Sequence, residues 1–132
     1  MNIKRDDITP AELWFFEQKP AALPLYEAFR AAVLKEIPET RIDVKKTQIS
    51  FYVRHMFAAV SFLPVRRKNE RPEPYLTVTF GLRYRVENER IAGVSEPYPH
   101  RWTHHVMLGS KAEVDAELMA WIKAAADMAG RE

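Results

Sequence analysis

Three of the chain's four histidines lie within one six-residue window, His100-Arg101-Trp102-Thr103-His104-His105. Histidine is both a common metal ligand and a base that works near neutral pH, so the cluster raises two chemistries, metal binding and proton transfer. The spacing argues against the first. Thr103 and Val106 are β-branched, Pro97 and Pro99 lie upstream, and Ser110 opens a helix-start pattern, so the window reads as a strand. Neighbours on a strand project to opposite faces, which separates His104 from His105. His100 and His104, on one face, would stand ~13 Å apart at ~3.3 Å per residue. Two ligands of one zinc ion must each come within ~2 Å of it. With no HExxH and no paired-carboxylate spacing elsewhere, no metal site is expected.

Proton transfer needs less. His104 or His105 could act as a general base beside arginines that hold an anionic substrate, as in a small hydrolase-like enzyme. Nothing else in the sequence completes such a site. Gly93-Val94-Ser95-Glu96-Pro97 begins like a nucleophile elbow, but it has Pro where the sharp turn needs Gly, and it reads as a loop. Four glycines, at 81, 93, 109 and 130, cannot compose a phosphate loop or a dinucleotide fingerprint, so no nucleotide cofactor is expected. The absence of cysteine excludes disulfides and thiol catalysis.

The elements that must position these residues are read from periodicity. Thr9-Pro10-Ala11-Glu12 is a capping box with Pro at the first helical position, predicting a helix from Pro10 to Gln18. Trp14, Phe15 and Phe16 on it read as two core anchors and one rim residue. A second helix carries Ala22, Tyr26, Phe29, Val33 and Ile37 and ends before Pro38. From Arg41 the period falls to two. Ile49, Phe51 and Val53 alternate with Ser50, Tyr52 and Arg54, and His55 sits at a tight turn into a strand from Met56 to Leu63. Pro64 to Pro74 is a basic, proline-bearing loop. Tyr75 to Val86 alternates cleanly as a twelve-residue strand with Gly81 as its bend or bulge, Glu87 to Pro99 is a polar loop, and Arg101 to Leu108 is the last strand. Ser110-Lys111-Ala112-Glu113 then caps a final helix bearing Val114, Leu118, Trp121, Ile122 and Ala125.

This order predicts an α+β domain: a mainly antiparallel sheet of four to five strands, with two N-terminal helices and one C-terminal helix packed on one face. At 132 residues and 47% hydrophobic content it is expected to be a single domain over residues 1–132, with its core within about 10–129. No apolar run approaches the ~18 residues of a membrane span, and the start, Met1 to Asp7, runs into acids where a secretory signal would turn apolar, so a cytoplasmic chain is expected.

Arg101-Trp102-Thr103-His104-His105-Val106-Met107-Leu108-Gly109-Ser110, followed by Val114-Asp115, Leu118, Trp121-Ile122 and Ala125, resembles the end of a bacterial family of small domains of unknown function. Members stand alone or are fused to longer proteins, some labelled predicted transport proteins. Lys45-Lys46-Thr47-Gln48-Ile49-Ser50-Phe51 looks like that family's central strand entry, and the resemblance runs from roughly Leu13 to Met128. More distantly, the helix-sheet-helix plan is similar to the YdhG-like domains, for which an iron-chaperone role has been suggested. The acidic ridge that such a role would want is missing here. The resemblance carries no catalytic residue with it.

One constellation remains. Residues 41–105 carry a net charge of +6 and the two flanks together −4. If Ile49, Phe51, Leu76, Val78, Phe80, Trp102 and Val106 face the helices, the opposite face displays Tyr52, Arg54, Arg101, Thr103 and His105, joined by Arg83 and Arg85 if Gly81 preserves the alternation. Such a basic, hydroxyl-rich face suits an anionic small molecule, or a single-stranded nucleic acid with Tyr52 stacking on a base. The sequence thus predicts a non-enzymatic binding module. The plainer alternative is a solvated face whose arginines pair with nearby Glu residues.

Overall fold

The computed structural model describes residues 7–131, so the charged start from Met1 to Asp6 lies outside the described residues. Helix α1, Pro10–Phe15, begins with the expected capping box: the Glu12 amide donates to Thr9 Oγ1 at 3.2 Å and the Thr9 amide to Glu12 Oε1 at 2.9 Å. It is three residues shorter than expected. The chain turns at Phe16, passes a 3-10 turn at Pro20–Ala22 and enters α2, Leu23–Glu36, which buries Leu25, Tyr26, Phe29 and Val33.

Six strands follow: β1 Arg41–Val44, β2 Ile49–Tyr52, β3 Met56–Ser61, β4 Leu76–Leu82, β5 Ile91–Tyr98 and β6 Arg101–Leu108. They form one sheet in the order β1-β2-β3-β4-β6-β5, every neighbouring pair antiparallel. The architecture is α+β with more strands than the four to five expected. β1 occupies residues 41–44, where alternation only begins in the sequence. β5 falls inside the expected polar loop, because Gly93 and Ser95 at its centre and Pro97 near its end are turn formers by composition. Pro97 is tolerated there because β5 is an edge strand, where a missing N–H need not face a partner.

The expected strand from Tyr75 to Val86 stops at Leu82, and Gly81 is no bulge: it pairs with Thr103 in unbroken register. The interruption lies instead between Phe51 and Tyr52 of β2. The Ser110 capping box closes only a 3-10 turn, Lys111–Glu113, and α3 runs Ala116–Arg131 with the Asp115 carboxylate accepting from the Leu118 amide at 3.0 Å.

The core lies between one face of the sheet and α2 and α3. Phe51 meets Phe29 edge-on at 5.4 Å between centroids, and Trp121 of α3 stacks on Phe80 at 5.8 Å. α1 packs on α2 through buried Glu12, and Phe16 of the turn after it enters the core beside Tyr26, while Trp14, Phe15 and residues 17–19 wall a cleft that reaches the opposite side of the sheet. Trp14 is the exposed rim residue of the aromatic trio.

Candidate functional site

On the helix-free side of the sheet the strands present small side chains. Ser50 faces Ala59, which faces Thr79, which faces His105, and Ser61 pairs with Thr77 and Gly81 with Thr103. A floor this low leaves room above it. The link from residue 62 to 75 folds over one end, with Thr77 Oγ1 donating to the Leu63 carbonyl at 2.7 Å and Tyr75 Oη to that of Phe62 at 2.9 Å.

Two clefts result, meeting at Gln48 and Thr79. The first, about 590 Å³, lies between residues 14–19, the β1–β2 turn at Lys46-Thr47-Gln48, and Ser61, Phe62, Leu63 and His105. The second, about 850 Å³, runs over Ala59, Gly81 and Thr103 toward Met56, His55, Tyr98 and Arg101. Lys19, Lys46 and Arg101 line the pair, and Glu17 is the one carboxylate among the lining residues.

The histidine window separates into three environments, as alternation requires for two of them. His104 is fully buried, stacked on Phe80 at 5.1 Å, and its Nε2 accepts from the Val86 amide at 3.0 Å. That bond puts the ring proton on Nδ1. Burial lowers its pKa, more than the backbone carbonyls of Phe80 and Trp102 raise it. His105 points to the other face and shares a 2.8 Å hydrogen bond between its Nδ1 and Thr79 Oγ1. Its pKa is also lowered by burial. The bond to Thr79 orients the ring and leaves Nε2 as the nitrogen for a ligand. His100 is not in the strand at all. It occupies the β5–β6 turn with φ 64°, its amide donating to Glu96 Oε2 at 3.0 Å. Among the described residues no group of three His, Asp or Glu side chains could hold a metal ion.

Of the expected site residues, Arg101, Thr103 and His105 come together on the open face. Tyr52 lies toward the β1 edge of the same side, but two cations already sit over its ring, Arg41 at 5.1 Å and Lys45 at 5.3 Å, and Lys45 Nζ donates to its hydroxyl at 2.6 Å. It is therefore a poor platform for stacking a base. Arg54 is elsewhere. The strand ends at Tyr52, alternation ends with it, and Arg54 lines a depression with Lys123, Asp127 and Arg131 on the helix side. Arg83 and Arg85 follow the end of β4. Arg85 lies over Trp102 at 5.9 Å, and its ion-pair partner is Glu87 at 4.0 Å.

The cleft also uses residues that alternation does not single out: Trp14, Lys19, Lys46, Gln48 and Leu63. They come from turns and a helix end brought together by the fold. The sole hint in the sequence was the pairing of Lys45-Lys46-Thr47-Gln48 with a strand start.

The chain belongs to the DUF5655 family. The description of that family is a domain of unknown function, and its family model matches residues 14–129, from Trp14 at the lip of the first cleft to the last turn of α3. Every residue of both clefts therefore falls within the DUF5655 match. No curated protein and no solved structure matches the chain. Among the described residues no helix is long and apolar enough to cross a membrane.

Proposed function

We propose that this DUF5655 domain is a non-enzymatic binding module that takes an anionic ligand on the open face of its sheet. The observation that carries this reading is the pair of adjoining clefts with Lys19, Lys46 and Arg101 in their lining against the single carboxylate of Glu17. Cations converging on a concave surface focus field and attract an opposite charge. Thr79, Thr103 and His105 supply directional hydrogen bonds below them. A small organic anion or a mononucleotide fits either cleft, and a short single strand would have to span both.

A second reading draws on His105. Burial keeps its ring neutral at pH 7, which suits a general base, and Lys19 and Lys46 could hold an anionic substrate beside it. His104, the other candidate base, is sealed against Phe80 and cannot touch a substrate.

Titrating isotope-labelled protein at low salt with inorganic phosphate, dicarboxylates and mononucleotides tests the proposal. Amide shifts should concentrate at Ser50, Ala59, Thr79, Gly81 and His105, and Arg101→Ala should weaken the response to ligands in the second cleft. Shifts confined to the helices, or none, would sink it. Turnover of ester or amide forms of a bound acid, abolished by His105→Gln, would move the balance to the enzyme.

A further inference from the structure

The two clefts differ in chemistry, and the difference narrows the class of ligand. The first has an apolar wall, made by Trp14, Phe15, Phe62 and Leu63, facing a polar floor of Gln48, Ser61, Thr79 and His105. Phe15 and Phe62 are already stacked on each other at 5.4 Å, so they form a fixed surface. Trp14 and Leu63 are 56% and 47% exposed, large apolar areas left in water at the mouth of a concavity. At the rim stand two cations. Lys19 lies over the rings of Phe62 and Tyr75 at 5.5 and 5.8 Å, and Lys46 makes no ion pair among the described residues. A volume of about 590 Å³ falls within the range of sites that enclose small organic ligands.

Inorganic phosphate would leave that wall wet. A neutral hydrocarbon would cover the wall but leave Lys46 unanswered and strip water from His105 and Gln48 without replacement. A flat apolar body joined to an acid answers both. Its ring would bury Trp14 and Leu63, its charge would meet Lys46 and Lys19, and a hydroxyl or carbonyl on it could bond His105 Nε2. The second cleft has apolar lining of its own, Met56, Tyr98 and Trp102, with Arg101 at its end, but its histidine, His55, has no side-chain hydrogen bond among the described residues to orient it as Thr79 orients His105.

We infer that the first cleft is a site for a small aromatic or otherwise flat organic acid. This rests on the anion-binding reading above and specifies which anion and where.

The full chain should be titrated calorimetrically at pH 7 and low salt with 2-naphthoate, with acetate as the charge without the ring, 2-naphthol as the ring without the charge, and inorganic phosphate. Naphthoate should bind about tenfold tighter than any of the other three. Trp14→Ala and Lys46→Gln, both exposed positions that leave the core intact, should each weaken it several-fold, whereas Arg101→Ala should not. The His105 ring resonances should shift on binding. Naphthoate bound no better than acetate or phosphate overturns the inference while leaving the anion reading in place. Naphthoate binding lost in Arg101→Ala and kept in Lys46→Gln overturns it too, by placing the ligand in the second cleft. No binding of any anion, mononucleotides included, overturns both.

Discussion

Glu12 shows how much one side chain can be asked to do. It closes the cap of α1, and it also lies buried against α2, accepting from Arg30 Nε at 2.7 Å and from the Tyr26 hydroxyl. Burial would raise its pKa, but the hydrogen bonds from Arg30, Tyr26 and the Thr9 amide outweigh it and hold the carboxyl below its ordinary value. The same burial and the facing carboxylate push the Tyr26 phenol far up. Removing one member of a buried charge pair strands the other, so Glu12→Ala should cost about 3–5 kcal/mol in urea denaturation, and the double variant Glu12→Leu with Arg30→Met should cost less than the single one. A double variant at least as damaged as Glu12→Ala would show that the pair is stabilising in its own right. His104 makes a prediction of opposite chemistry. Its folded pKa lies below the unfolded one, so the stability it confers is complete above about pH 6.5 and is lost as pH falls below that value. His105, lowered in the same sense, adds to the same slope. In His104→Leu the decline in melting temperature between pH 7 and 5 should flatten, on top of a loss of roughly 1–3 kcal/mol because the Val86 amide loses its acceptor. An unchanged slope would assign the acid sensitivity to other groups.

At the scale of elements, what could be read in advance was what a local pattern reports. The Thr9 cap, the apolar spacing of α2, the alternation that sends His104 inward and His105 outward, and the last strand are all visible in neighbouring residues. What was missed depends on partners far along the chain. β5 has no buried residue and two turn formers at its centre, and it becomes a strand because β6 offers a free edge. β4 ends at Leu82 although Tyr84 and Val86 continue its alternation, because pairing with β6 stops at Trp102. Arg54 leaves the open face because the alternation of β2 ends with the strand at Tyr52, and Arg83 and Arg85 lie beyond Leu82, where β4 no longer fixes a face for them. Gly109 reveals one more such contact. Its φ needs no glycine, but a Cβ there would stand 2.5 Å from Pro72 Cβ, so the basic loop passes directly over the end of β6. Gly109→Ala should therefore destabilise by about 1–3 kcal/mol, as overpacking does. Substituting Gly81, whose added Cβ would meet nothing nearer than 4.0 Å, should have a far smaller effect on the midpoint of chemical denaturation. Equal costs at the two positions would mean that the loop can lift away from Gly109 freely.

For the whole molecule, the charge split along the chain follows the order of the elements: α1, α2 and α3 lie in the two acidic flanks, and the basic middle, residues 41–105, holds β1 to β5, the start of β6 and their links. Several of those cations are committed to the protein itself. Arg90 binds Asp115 and Glu117 of the α3 start at 2.9 and 3.0 Å and lies over Trp121, tying the β4–β5 link to the last helix. Arg41 and Lys45 are engaged with Tyr52. What the molecule offers an anion is therefore a few rim cations over a wide concavity, and a few exposed charges contribute little each, roughly 0.2–1 kcal/mol. Their reach is set by screening, which shortens from about 30 Å at 0.01 M ionic strength to about 8 Å at physiological salt. Capture of inorganic phosphate should consequently fade almost completely over that range. Capture of 2-naphthoate should fade only in part, because burial of its ring against Trp14 and Leu63 does not depend on ionic strength. Parallel salt titrations of the two ligands measure this directly. Two identical slopes would mean that the apolar wall contributes nothing, leaving attraction to the rim cations as the whole of the binding.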